Sequence, residues 1–184
     1  NALIEHDIGV HMLTTQNTLK QNLKLFNLGL PVNTEAQEGL AILSEYLSGN
    51  ITLKRLKKLA LRVVAVDMMC NGANFSESFN FLVGHHYVSV DDAYTIVTRV
   101  FRGGGLTKDY LYLSGFNKIL KMWKSDIDLS PFLIGKTSID FYDTISEMIQ
   151  RGMISKPKYI TKSILNPIEK KDTSIYEYIL SGIN

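Results

Sequence analysis

The chain has 184 residues, of which 45% are hydrophobic and 21% are charged, so it can form a globular domain with an apolar core. Its formal net charge of +2 gives no reason to expect a nucleic-acid or membrane partner. No apolar stretch reaches the roughly 18 residues of a membrane helix, and no secretory signal opens the chain. Because its one cysteine, Cys70, cannot form an internal disulfide, we expect a cytoplasmic protein.

The first predicted helix, from Ala2 to about Leu13, carries two histidines, His6 and His11. On a regular α-helix, residues at i and i+5 lie roughly 140° apart around the axis, whereas residues at i and i+4 lie roughly 40° apart. The imidazoles can therefore share a metal only if the helix contains one extra residue in its turn. Such a π-bulge is typical of functional sites, and Gly9 lies where the backbone would have to deviate.

Asp7 follows the first histidine, where metallohydrolases with the motif His-Glu-x-x-His have the glutamate that acts as general base. Aspartate is one carbon shorter, which reduces its reach by roughly 1.5 Å. A general base must come within about 2.6–3.2 Å of the water that it deprotonates. Either the backbone at Asp7 lies closer to the water and compensates for the shorter side chain, or the rate of hydrolysis is lower than with glutamate.

The next predicted elements are a short amphipathic segment around Phe26 and a longer helix that ends near Gly49. Thr34 followed by Gln37 is a capping-box pattern, which predicts that the longer helix begins there. Glu38 then lies in its first turns. We expect this second helix to present Glu38 to the first helix.

Two imidazoles and one carboxylate form the ligand set of catalytic zinc, which leaves one coordination position open for water. His6, His11 and Glu38 therefore suggest a metal-dependent hydrolase. The same spacing also occurs by chance in many chains, so the short motif does not decide the matter.

The remaining periodic segments predict a mainly α fold in a single domain, with an ordered core to about residue 152 and a loop-rich tail over residues 153–184. Residues 132–134 and 158–160 are weaker candidates for strands. The predicted helices span about 53–67, 76–81, 90–101 with Ser89 as its cap, 140–151 with Gly152 as its stop, and a small terminal helix from about Ser174.

A second group of functional candidates surrounds the glycine run at residues 103–105. Arg99 and Arg102 share a helix face, and their forked donors suit a carboxylate such as a peptide C-terminus. Structural ion pairs are an equally good explanation. If the next segment is extended, Tyr110 and Tyr112 lie on one side of it. Lys108 or a tyrosine hydroxyl could then stabilise an oxyanion, although tyrosine rings at such positions often only pack.

Two blocks of this sequence resemble the QEGLA-motif protein family, which includes flavohaemoglobin expression-modulating proteins and the microtubule-associated tubulin tyrosine carboxypeptidase. The first block runs from His6 through Gln37-Glu38-Gly39-Leu40-Ala41 to Gly49, and the second covers residues 99–105 and 107–113. The resemblance extends from the first residues to about Gly115. Two separated blocks are more specific than one.

The resemblance implies a zincin-like metallopeptidase whose helical domain is a fragment of a larger chain. Family members have a motif His-Glu-x-x-x-His and a later glutamate as zinc ligands, which correspond to His6, His11 and Glu38. It also implies Zn²⁺ as cofactor and carboxypeptidase action on a peptide or protein C-terminus. Asp7 departs from the family's usual glutamate, which puts full catalytic competence in doubt.

The candidate mechanism has Asp7 as general base and Arg102, Lys108 and Tyr110 as substrate-binding residues. Residue 1 is Asn rather than Met, and the candidate metal helix begins almost at once, so we expect a piece of a longer protein. The oligomeric state cannot be read from the sequence.

Two alternatives remain open. His6-Asp7 is also similar to the central dipeptide of the all-helical HD-type metal phosphohydrolases, for which Asp67 is the candidate downstream ligand. That family also needs a histidine upstream of the dipeptide, and the five preceding residues contain none. The other alternative is a catalytically degenerate metal-binding module, in which Asp7 fails as a base.

Overall fold

A computed structural model describes residues 2–86, 88–103, 107–168, 176, 178 and 179 of this protein. The described residues form helices and connecting turns without any strand, which confirms the mainly α prediction. The two predicted strands are wrong, because Phe132 ends a 3₁₀ turn, residues 158 and 159 form a bend, and residue 160 has no regular structure. The predicted terminal helix from Ser174 falls largely outside the described residues.

The helices follow one another with short connections. A π-helix (Ile4–Met12) continues directly into α1 (Leu13–Thr18). The later helices are α2 (Leu25–Leu28), α3 (Asn33–Leu47), α4 (Leu53–Cys70), α5 (Phe75–His86), α6 (Val90–Phe101), α7 (Leu111–Lys124), α8 (Tyr142–Gln150) and α9 (Lys162–Leu165), with 3₁₀ turns at Ser130–Phe132 and Ile139–Phe141. Among the residues that the structure describes, no helix combines the length and apolar character needed to cross a membrane.

The chain divides into two compact units. The first comprises Asn1–Ile51 and Ser114–Asn184, and the second comprises Thr52–Leu113. The single domain with a loop-rich tail stays a prediction. Within the first unit, part of that tail is buried, since Ile154 and Thr161 are 3% and 0% exposed.

The second unit is built around α4, α5 and α6. Ser89 accepts a hydrogen bond from the backbone of Asp92, which confirms it as the cap of α6, and Thr52 caps α4 in the same way. The helices bury an apolar stripe between them because hydrophobic side chains recur on one face of each. The buried core comprises Leu61, Ala65, Val66, Leu82, Ala93, Ile96, Val97 and Val100.

The central helix of the first unit is α3, in which every residue from Ala36 to Leu47 is buried. A helix that is buried on all sides needs partners for each polar side chain that it carries. The capping-box prediction is wrong, because Val32 is the N-cap residue and no side chain caps the helix. Gln37 instead accepts from the hydroxyl of Thr14 at 3.0 Å and donates to the carbonyl of Gly135 at 3.3 Å.

Gly39 of α3 lies against Gly115 of α7 with backbone touching backbone. A Cβ atom added at Gly39 would come within 3.0 Å of the backbone of Gly115, and one added at Gly115 would come within 3.0 Å of the carbonyl oxygen of Glu35. Only glycine permits so close an approach. The glycine of the Gln37-Glu38-Gly39-Leu40-Ala41 block is therefore a packing requirement.

The start of α7 contradicts one prediction. Tyr112 lies inside this helix rather than in an extended segment, and Tyr110 immediately precedes it. Tyr112 is 8% exposed and Tyr110 is 43% exposed, so the two rings do not share one environment. Hydrophobic residues recur at helical spacing over residues 111–124, and this pattern determined the local structure. The alternation of Tyr110 and Tyr112 did not indicate an extended segment.

Candidate metal centre

The first helix has the π conformation that the spacing of its histidines requires. Its π-helical stretch covers both His6 and His11. In a π-helix the backbone bonds join residues i and i+5, which brings residues five apart to the same face. The two imidazole rings accordingly lie edge to face with their centroids 5.0 Å apart. The predicted backbone deviation between the histidines is confirmed.

Glu38 reaches the two histidines from α3. Its Oε2 atom lies 3.3 Å from Nε2 of His6 and 3.5 Å from Nε2 of His11. In a tetrahedral zinc site with bonds of 2.0–2.2 Å, neighbouring donor atoms are about 3.3–3.6 Å apart. The spacing of the carboxylate oxygen from both nitrogens therefore fits a shared cation.

Asp7 also borders the two histidines. One carboxylate oxygen of Asp7 and one ring nitrogen each of His6 and His11 lie within 4.8 Å of one another. The two carboxylates differ in environment, because Glu38 is 5% exposed and Asp7 is exposed to solvent. The residues that could hold a metal are thus His6 and His11 together with a carboxylate, either Glu38 from the buried side or Asp7 from the solvent side.

The orientation of His6 depends on Glu45, which sequence reasoning missed. Nδ1 of His6 and Oε1 of Glu45 are 2.8 Å apart, and Glu45 is 1% exposed. This contact directs Nε2 of His6 toward Glu38. A carboxylate on the far nitrogen is the usual support of a metal-binding histidine, since it fixes the tautomer and the ring orientation.

The signal that could have found Glu45 is its position two helical turns after Glu38, with the mainly apolar residues 39–44 between them. Residues seven apart on an α-helix lie on nearly the same face. A charged residue on a helix that is buried all round must have a partner.

The carboxylates of Glu38 and Glu45 favour a positive charge at His6. Burial lowers the pKa of His6, but hydrogen bonds to Glu38 and Glu45 and the charges of these carboxylates raise it, and the net result is a pKa of about 9. Two buried carboxylates next to one imidazole need a compensating cation. The donor set and its charge therefore fit a divalent metal, which would take the place of the proton on His6.

The second group of candidates belongs to the second unit, where Arg99 makes a structural ion pair. Its Nε and Nη2 atoms donate to Oδ1 of Asp109 at 3.0 and 2.8 Å, and Nη1 of Arg62 approaches the same oxygen at 3.5 Å. Arg102 is exposed at the C-terminal end of α6. The ion-pair explanation of Arg99 is the one that its contacts support.

The remaining candidates of that group are also at the surface. Lys108 is exposed, with its ammonium group 5.6 Å from the centroid of the Tyr112 ring. Tyr110 is likewise exposed. Arg102, Lys108 and Tyr110 stay predictions as substrate-binding residues. Gly104 and Gly105 lie outside the described residues.

A comparison with protein-family models matches residues 1–181 to the family described as microtubule-associated tyrosine carboxypeptidase. The chain belongs to this family. The match covers nearly the whole sequence and confirms the resemblance that the two sequence blocks indicated. A comparison with curated proteins finds no match.

Membership of a carboxypeptidase-related family bears on the alternatives. The HD-type hypothesis needs Asp67 as a metal ligand, but Asp67 is exposed on α4. Its Oδ1 atom accepts a hydrogen bond from the side chain of Asn71 at 3.2 Å. The family match and the grouping of His6, His11 and Glu38 both favour a metallopeptidase-like protein over a phosphohydrolase.

Proposed function

We propose that this protein is a zinc-dependent metallopeptidase that hydrolyses the C-terminal peptide bond of a peptide or protein. The observation that carries the proposal is the convergence of His6, His11 and Glu38, with 3.3 and 3.5 Å between the carboxylate oxygen and the two imidazole nitrogens. The family match supports the choice of a C-terminal bond. A cytoplasmic location is part of the same proposal.

His6, His11 and Glu38 would hold the metal, and two nitrogens with one carboxylate oxygen are a donor set that suits zinc. When bound, the ion would lower the pKa of a water molecule and polarise the scissile carbonyl. The carboxylate of Glu38 is buried, while Asp7 on the other side of the histidines is exposed to solvent.

Asp7 is the residue that would move the proton. Its carboxylate lies beside the histidines and faces solvent, which is the arrangement that a general base needs in order to reach both water and substrate. Asp7 would accept a proton as the water oxygen bonds to the carbonyl carbon. It would then return that proton to the amine nitrogen as the peptide C–N bond breaks.

A carboxypeptidase also needs a group that binds the free C-terminal carboxylate of its substrate. Arg102 and Lys108 are exposed cations, and Tyr110, the residue before α7, is exposed as well. A guanidinium can hold a carboxylate through two parallel hydrogen bonds. We propose Arg102 as the anchor, with Lys108 and Tyr110 as neighbouring contacts.

The test is hydrolysis of peptides with different C-terminal residues, followed by mass analysis of the products. We expect the zinc-loaded wild type to release a single C-terminal residue. Asp7→Ala should lower the rate by about 10²–10⁴-fold, the usual contribution of a general base. Asp7→Glu should match or exceed the wild type because its carboxylate reaches further.

The second candidate function is a metal-binding module without peptidase activity, which the aspartate at position 7 favours. It predicts that the wild type, Asp7→Ala and Asp7→Glu all bind zinc and that none of them releases an amino acid. That result would contradict the peptidase proposal and leave the metal site intact.

Glu45 provides a separate prediction. Replacing Glu45 by Gln keeps the size of the side chain. It removes the negative charge of the carboxylate that contacts Nδ1 of His6. Changes to such supporting residues typically cost 10–100-fold in metal affinity. We expect zinc affinity, measured by competition with a chromophoric chelator, to fall by about that factor. An unchanged affinity would mean that Glu45 only fills space in the core.

A further inference from the structure

The segment that follows α8 is bound along the first helix by polar contacts. We call residues 154–165 the C-terminal strap. Gln21 and Ser155 are joined by two hydrogen bonds of 2.9 and 3.0 Å, between the Gln21 amide and the Ser155 backbone. Asn17 and Tyr159 are joined in the same way, at 2.8 and 2.9 Å. Paired bonds of this kind fix the position of the strap along the helix.

The next contact of the strap falls on the π-helix that carries the two histidines. Thr161 is fully buried, and its hydroxyl donates to the carbonyl oxygen of Gly9 at 2.7 Å. Gly9 lies between His6 and His11 in the π-helix. Thr161 therefore contacts the turn whose conformation brings the two histidines together.

The carbonyl of Gly9 lies at the point of the helix where the backbone hydrogen bonds of the α and π forms differ. In an α-helix the N–H of Leu13 would donate to Gly9, four residues earlier. Here the N–H of Leu13 is directed to the carbonyls of Ile8 and Val10. The hydroxyl of Thr161 supplies Gly9 with a donor that the α register would have taken from Leu13.

Thr161 thus stabilises one of two backbone registers. In the α register, His6 and His11 would be separated by roughly 140° around the axis and could not share a metal. In the π register their rings are neighbours. A partly buried carbonyl that loses its donor is costly, so the hydroxyl of Thr161 offsets a cost that the π register would otherwise carry.

We propose that Thr161 is a positioning residue that holds the π register and thereby sets the affinity of the metal site. The proposal rests on the proposed function insofar as it assumes that His6, His11 and Glu38 bind a divalent metal. It assigns to the C-terminal strap a role in metal binding, although no residue of the strap is a ligand.

The test compares Thr161→Ser with Thr161→Ala in the full chain. Both changes remove the γ-methyl group, and only Thr161→Ala also removes the hydroxyl, so their difference isolates the hydrogen bond to Gly9. We expect Thr161→Ala to bind zinc about 10-fold or more weakly than Thr161→Ser, which is the scale of changes in the surroundings of metal ligands. The absorption spectrum of the bound Co²⁺ ion should also change in Thr161→Ala.

Thr137→Val is the matched control. Thr137 is also fully buried in the first unit, and its hydroxyl donates to the carbonyl of Pro131 at 3.3 Å. Its loss should affect thermal unfolding but leave zinc affinity at the wild-type value. An effect on metal affinity that is confined to Thr161 separates positioning from general stability.

The possible outcomes are distinct. Equal zinc affinities for Thr161→Ser and Thr161→Ala, with wild-type binding intact, would overturn the role of Thr161 alone. Zinc binding by the wild type without peptide hydrolysis would contradict the peptidase proposal and leave the role of Thr161 standing. A wild type that binds neither Zn²⁺ nor Co²⁺ would overturn both.

Discussion

Replacing His11 by alanine is expected to lower zinc affinity by more than about 100-fold, because this change removes a proposed ligand and even supporting residues account for about 10–100-fold. His11 is one of the two imidazoles within 3.5 Å of the Glu38 carboxylate. The remaining donors, His6 and Glu38, cannot fill a tetrahedral site without additional water.

The same variant should lose the stabilisation that zinc gives to the folded state. A ligand at 100 times its dissociation constant raises the free energy of unfolding by about 2.7 kcal/mol. We expect that gain in the wild type and at most about 0.4 kcal/mol in His11→Ala at the same zinc concentration. Thermal unfolding with and without zinc measures the difference.

His85→Ala is the matched control, since His85 is an exposed histidine at the end of α5, with its ring stacked near that of Phe81. This substitution should leave zinc binding unchanged. Wild-type affinity in His11→Ala, or loss of affinity in His85→Ala, would contradict the assignment of the site.

Replacing Gly39 by alanine is expected to destabilise the first unit by about 3 kcal/mol, at the upper end of the usual cost of overpacking. The new Cβ would meet backbone atoms of Gly115 at under 3.0 Å. A flexible side chain could move aside, but a helix backbone cannot, so α3 and α7 would have to separate. Urea denaturation with a constant slope gives the change in the free energy of unfolding.

Gly39→Ala should weaken metal binding as well, because Glu38 is its neighbour on α3 and must keep its distance from both histidines. Gly84→Ala provides the comparison. An added Cβ at Gly84 meets nothing within 4 Å, and Gly84 lies within α5. Alanine there should stabilise the protein by up to about 1 kcal/mol. Equal stability of Gly39→Ala and the wild type would refute the close packing of α3 on α7.

The sequence alone determined the donor types of the candidate site and the local form of several helices. The donor types of His6, His11 and Glu38 indicated a metal, and their spacing required a π turn, which the first helix has. Ser89 was identified as a cap because a capping side chain bonds to a backbone N–H only three residues away. These features depend on neighbours in the chain, so the pattern of residues is sufficient to predict them.

The tertiary structure decided the features that depend on distant residues. Gln37 looked like part of a cap, but it bonds to Thr14 and to the carbonyl of Gly135, which are far away in the sequence. The support of His6 by Glu45 and of the Gly9 carbonyl by Thr161 likewise joins segments that no local pattern relates. A buried polar group takes the partner that the packing of helices brings to it. For that reason the candidate ligands could be proposed from the sequence, whereas the residues that hold them in place could be found only in the folded chain.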